Sequence, residues 1–140
     1  MPLPVQELGR VIKQLQSRHH RLIDADLRRI GSSLAQWDAL RAIQQNPRAS
    51  ARLLAAQTFQ TDQSFGTLAT RLEKKGLIER RSGAGRAIAH SLTPAGQRLL
   101  EESSAVVDHV LTASLGGLQA SEQEQLYALI ARVLAAHAPD

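Results

Sequence analysis

Between Gly76 and Pro94 the hydrophobic period of the chain changes twice. Upstream, Phe65, Leu68, Ala69 and Leu72 recur at steps of three and four, the mark of one face of a helix. Lys74, Lys75 and Gly76 then read as a basic last turn and its cap. Leu77 to Arg81 and Arg86 to Leu92 read as two short strands around a Ser-Gly-Ala-Gly turn. Thr93-Pro94 opens a helix again, a capping residue followed by proline at the first helical position. A capped helix, a tight hairpin and a second capped helix in so little chain leave few ways to fold. The hairpin must lie against the helix that precedes it.

The flanking segments are helical. Residues 4–29 repeat Val5, Leu8, Val11/Ile12, Leu15, His19, Leu22/Ile23 and Asp26/Leu27 at helical spacing. Ser32 or Ser33, with Gln36 in capping-box spacing from Ser33, starts a helix that Asn46-Pro47 ends near Gln45. Ser50 caps a short helix to about Thr58, and Thr61 caps the next, with Asp62 in its first turn. After Pro94 a long helix shows Leu99, Leu100, Val106/Val107 and Val110/Leu111 before Gly116-Gly117. Ser121, with Glu124 in capping-box spacing, opens a final helix carrying Leu126, Leu129/Ile130 and Val133/Leu134. The expected fold is mainly α with a small β-hairpin, an α+β winged helix-turn-helix, in one domain over residues 1–140. Residues 33–93 form its core. Residues 4–29 and 94–138 form long helices with apolar stripes and little to pack on within one chain, so a second copy is their expected partner.

Charge divides the chain. Residues 1–98 hold 16 Lys/Arg against 7 Asp/Glu, while residues 99–140 hold only Arg132 against six acids. The basic part is suited to a polyanion. The absence of cysteine excludes disulfides, thiolate metal sites and thiol redox chemistry. No stretch is long and apolar enough for a membrane span, and no signal peptide is evident, so a cytoplasmic protein without membrane contact is expected. The five histidines make no i, i+4 pair; His19 and His20 read as surface or interface groups and His90 as a strand residue, so no metal or other cofactor is expected. No nucleophile motif or carboxylate pair points to an enzyme.

Residues 50–76 have the short helix, tight turn and longer helix of a helix-turn-helix. In such a unit the first turns of the second helix face base edges, which here are Thr61, Asp62, Gln63, Ser64, Thr67 and Arg71. Gln63 suits a bidentate contact with adenine, and Arg71 suits phosphate or guanine. Thr61 and Ser64 suit phosphate or base edges, and Asp62 either a cytosine amine or the cap alone. Arg80, Arg81 and Arg86 cluster on the hairpin, where an arginine can enter a narrow minor groove. The Gly-Ala-Gly turn precedes a strand rather than a helix, so it is not a nucleotide-binding loop.

The stretch RLEKKGLIERR (71–81), followed by GRAIAHSLTPAG (85–96), resembles the signature of the MarR family of winged helix-turn-helix transcription regulators. The resemblance implies a homodimer whose first and last helices interlock, each protomer reading half of a near-palindromic site on double-stranded DNA. It further implies a repressor that loses DNA affinity when a small aromatic or phenolic anion binds between the dimer and DNA-binding regions. Trp37 and Arg41, with His19 and Arg21 of the first helix, are the candidate lining of that crevice; the alternative for Trp37, and the one favoured, is a core anchor between helices. Three departures from the family pattern stand out. Ala84 occupies the place of the usual wing aspartate while Arg86 keeps the arginine, and the wing is about two residues short. Phe59 stands where the turn commonly has glycine, and the lack of cysteine removes the peroxide-sensing members as a model. A winged helix that binds protein instead of DNA, or a regulator without a ligand, are the alternatives.

Overall fold

A computed structural model describes residues 1–82 and 87–137. Its elements run α1 (Val5–Arg28), α2 (Leu34–Gln45), α3 (Ala51–Gln57), α4 (Asp62–Lys74), β1 (Ile78–Ser82), β2 (Ile88–Leu92), α5 (Pro94–Leu115) and α6 (Ala120–Ala136). The fold is therefore mainly helical with one antiparallel hairpin, as the periods of the sequence require. Four helices start where a hydroxyl can cap them. Ser33, Ser50, Thr61 and Thr93 each accept the N–H of the residue three positions on.

The remaining starts and stops depart from the sequence reading in three places. The final helix is capped at Gln119, two residues before Ser121. The Glu122 carboxylate takes the Gln119 N–H at 2.9 Å, so the box is built on Glu122 rather than Glu124. Gln123 Nε2 then donates to the carbonyls of Leu115 and Leu118 at the break around Gly116-Gly117, where Leu115 also accepts the Leu118 N–H. At α2 the Gln36 side chain does not complete a box with Ser33. It turns inward, and its Oε1 has no partner among the described residues. The strands are displaced by about one residue, with Ile78 opposite Leu92 and Ser82 opposite Ile88.

Gly76 adopts φ +73°, the left-handed conformation that lets the Leu77 N–H turn back to the Leu72 carbonyl. That turn sends the chain from α4 straight into β1. Thr93 closes the other side of the hairpin, its hydroxyl donating to the Gly76 carbonyl at 2.6 Å and its N–H to the Leu77 carbonyl at 3.1 Å. The hairpin is thus anchored at its root by both flanking helix ends.

Two separate apolar clusters result. The larger lies within α2, α3, α4, β1 and the start of α5, around Leu40, Ile43, Leu54, Phe65, Leu72 and Leu100. The smaller, Ile23, Leu27, Val107 and Val110, joins the C-terminal half of α1 to the middle of α5. The first half of α1 and all of α6 lie outside both, and α6 buries no residue. Val5, Ile12, Tyr127, Val133 and Leu134 are all more than half exposed. No described helix is long and apolar enough to cross a membrane.

Candidate nucleic-acid interface

The helix-turn-helix expected at 50–76 is present as α3, the turn 58–61 and α4. The turn is made by Phe59 at φ +57°. In that conformation the Gln60 N–H reaches back to the Ala55 carbonyl at 2.9 Å, the bond a glycine usually provides at a helix end. The strain is local, and the Phe59 ring gains nothing in return, since it is 97% exposed.

α4 buries Phe65, Leu68, Ala69 and Leu72 and presents Thr61, Asp62, Gln63, Ser64, Thr67 and Arg71 to solvent. A shallow groove runs along it, walled by Gln63, Ser64, Thr67 and Arg71, with Ala35 of α2 at its edge. A second hollow continues it past Thr70 and Lys74. Asp62 is not on the groove wall and sits in the first turn beside the cap, where the helix dipole favours an acid. The hydroxyls are partly committed. Thr61 Oγ1 accepts from Ser64 N, Ser64 Oγ donates to Gln60 Oε1, and Thr67 Oγ1 donates to the Gln63 carbonyl. The side chains of Gln63 and Arg71 make no hydrogen bond among the described residues. The groove therefore offers an amide donor-acceptor pair and a guanidinium on a rigid helix face.

The hairpin separates its arginines. Arg80 faces α4, where its Nη2 donates to Glu73 Oε1 at 2.9 Å and to Thr70 Oγ1 at 3.2 Å. This guanidinium holds the Glu73 carboxyl below the usual glutamate range. Arg81 alternates to the other face, exposed, where Glu79 lies 3.2 Å from its guanidinium. Arg86 and Ala84 lie outside the described residues.

The strand residue His90 has a role here that the sequence reading did not give it. His90, cross-strand from Arg80, is 1% exposed. Its Nδ1 lies 3.0 Å from the Ala49 carbonyl, which can only accept, so Nδ1 carries the proton. Its ring meets Phe65 edge-on at 5.9 Å. The hairpin, the loop before α3 and the buried side of α4 are thus joined through one imidazole. The only signal in the sequence was strand alternation, which puts His90 in step with Leu92.

The candidate crevice residues do not converge. His19 Nε2 lies 2.6 Å from Ser114 Oγ of α5. The cavity against α1 is walled by Ile12, Leu15, His19, His20, Ile23 and Leu34, without Arg21, Trp37 or Arg41. Trp37 carries the Arg41 guanidinium 5.5 Å above its ring and donates from Nε1 to Ser104 Oγ of α5 at 3.1 Å. Beside them burial pushes the Asp38 carboxyl up, against the opposing pull of Arg41 and His20.

The MarR family model matches residues 30–87, which span α2 to the wing. A probable transcriptional regulator from Pseudomonas aeruginosa is 29% identical over 89% of this chain and 95% of its own, with a TM-score of 0.78. A MarR family protein of Mycobacterium tuberculosis, crystallised with p-aminosalicylic acid, is 25% identical over 90% of this chain and 97% of its own, with a TM-score of 0.75. A mutant MarR of E. coli complexed with operator DNA shares the fold at a TM-score of 0.83 and 23% identity, over 93% of this chain and 95% of its own.

Proposed function

We propose that this chain, whose residues 30–87 match the MarR family model, is a winged helix-turn-helix transcription regulator of that family and acts in the cytoplasm as a homodimeric repressor of specific double-stranded DNA sites. Each protomer lays the first turns of α4 in a major groove, so that the dimer reads a near-palindromic operator. The observation that carries this reading is the groove face of α4, capped at Thr61 and presenting Gln63 and Arg71, whose side chains have no hydrogen-bond partner among the described residues. Gln63 supplies base preference, Arg71 a phosphate or guanine contact, and Thr61, Ser64 and Thr67 the remaining polar contacts. Arg81 and Arg86 supply the wing's charge toward the minor groove. The exposed apolar faces of α1 and α6 are the dimer surface; contiguous apolar faces of that kind mark association.

Selection of bound sequences from random DNA tests the whole reading. A two-fold-symmetric motif with half-sites about one helical turn apart is the expected result. Affinity should fall steeply with salt as phosphate contacts release counterions. A protein that enriches no sequence and binds no duplex at low salt is instead a protein-interaction module.

For regulation we propose a small aromatic anion, by analogy with the p-aminosalicylic acid held by the tuberculosis protein. The proposed site is the pair Trp37 and Arg41 on α2; His19 and Arg21 of α1, which do not converge on that pair within the protomer, are its candidate partners. Titration of aromatic acids against the DNA complex checks this, and retention of DNA under a broad panel of them would refute it.

A further inference from the structure

Trp37 stands where the two halves of the molecule meet. It is the one described residue that packs against both apolar clusters, the core around α4 and the α1–α5 cluster. Its ring does not rest there by shape alone. The Nε1 hydrogen bond to Ser104 fixes its rotation against α5, and the Arg41 guanidinium closes its outer face. Two further ties hold the start of α2 one turn earlier. Asp24 Oδ1 of α1 accepts the Leu34 N–H at 2.9 Å, and Ser103 Oγ of α5 lies 3.4 Å from Ser32 Oγ. These ties, at Ser32 just before α2 and at Leu34 and Trp37 within it, hold the start of α2 on the α1–α5 pair.

α2 in turn belongs to the half that carries α4, through Leu40 and Ile43 in the larger core. Whatever fixes α2 against α5 therefore fixes the direction in which α4 points from the dimer helices. In a dimer that direction, taken twice, sets the distance and rotation between the two α4 helices. We propose that Trp37, pinned by Ser104, is the positioning residue that sets the half-site spacing the protein accepts on DNA. This inference rests on the dimeric DNA-binding reading and deepens it. Trp37 touches no base in it and acts through the placement of α4.

The test is a set of duplexes carrying the two selected half-sites with their separation varied by single base pairs, titrated without added effector. Wild-type protein should show a sharp optimum, because each base pair also rotates one site about the helix axis. Ser104→Ala keeps a good helix former at a half-buried position and so keeps the fold. It should weaken the best-spaced site about five- to tenfold, the scale of an ordinary coupling between sites, while off-register sites change little, so the profile flattens. Trp37→Phe, which keeps a ring and loses the donor, should flatten it in the same way. Ser104→Thr, which restores the hydroxyl, should restore the optimum. The fluorescence of this sole tryptophan reports whether its surroundings change in each Ser104 variant. A wild-type spacing profile in Ser104→Ala and Trp37→Phe overturns the proposal, and so does an equal loss at every spacing, which would mean a merely structural role. A wild-type protein indifferent to spacing, or blind to duplex DNA, overturns the reading underneath it instead.

Discussion

A Cβ placed on Gly96 would stand 1.9 Å from the carbonyl oxygen of Leu77. The first turn of α5 and the root of the hairpin touch backbone to backbone, and no side chain can move aside to make room. Gly96→Ala should therefore destabilise the protein by about 3 kcal/mol, the upper range for overpacking a tight contact. Gly66, in α4, has nothing within 4 Å of its ideal Cβ. Gly66→Ala should stabilise by about 0.5–1 kcal/mol through helix propensity. Urea unfolding of the two variants checks both, and the same substitution should act with opposite sign.

Arg80 and Arg71 should behave differently on DNA although both carry a guanidinium near α4. Arg80 is engaged by Glu73 and Thr70, whereas Arg71 stands on the groove wall. Arg71→Ala should lower the slope of log affinity against log salt by about one, the signature of one lost phosphate contact. Arg80→Ala should leave that slope unchanged and lower the unfolding midpoint. Equal slopes in the two variants would remove the distinction between a brace and a contact.

Asp24 links α1 to the start of α2, and its carboxyl is held below the ordinary range first by the Leu34 N–H and then by Arg28. A depressed folded-state pKa means that the bond contributes fully above the unfolded value, about 3.9, and is lost as pH falls through the lower folded value. The stability gap between wild type and Asp24→Asn should be constant from about pH 7 to 5 and shrink below about pH 4. Urea midpoints across that range measure it. A gap that widened in acid would contradict the assignment.

Phe59 holds a left-handed turn with a ring that is 97% exposed. Phe59→Gly should relieve that strain, less the added entropy of the unfolded chain, for a net gain of about 0.5–1 kcal/mol. A thermal midpoint that falls in this variant would mean that the added unfolded-chain entropy outweighs the strain.

Much of this fold could be read along the chain. Ser33, Ser50, Thr61 and Thr93 cap the helices they were expected to cap, and Gly76 ends α4, because a cap is a contract between residues three or four apart. The same locality explains one miss. At the start of α6, Ser121 and Glu124 had capping-box spacing, but the helix starts earlier, with Glu122 accepting the Gln119 N–H and Gln123 donating back to the carbonyls of Leu115 and Leu118.

What the sequence by itself determined was the series of helices, the place of the hairpin, and the polar face of α4 from Thr61 to Arg71. These follow from period and capping, which act over a few residues. Only the tertiary structure decided that Arg80 turns to Glu73, that His90 is buried against Phe65, that Gly96 must lack a Cβ, and that Trp37 touches both clusters. Each of those depends on how segments far apart in the chain are brought together. An arginine or an imidazole is equally at home in solvent or in a buried bond, and which it takes is set by the partner that packing places opposite it. The change of period between Gly76 and Pro94 announced that a hairpin would lie against α4; packing decided that one of its arginines would brace that helix.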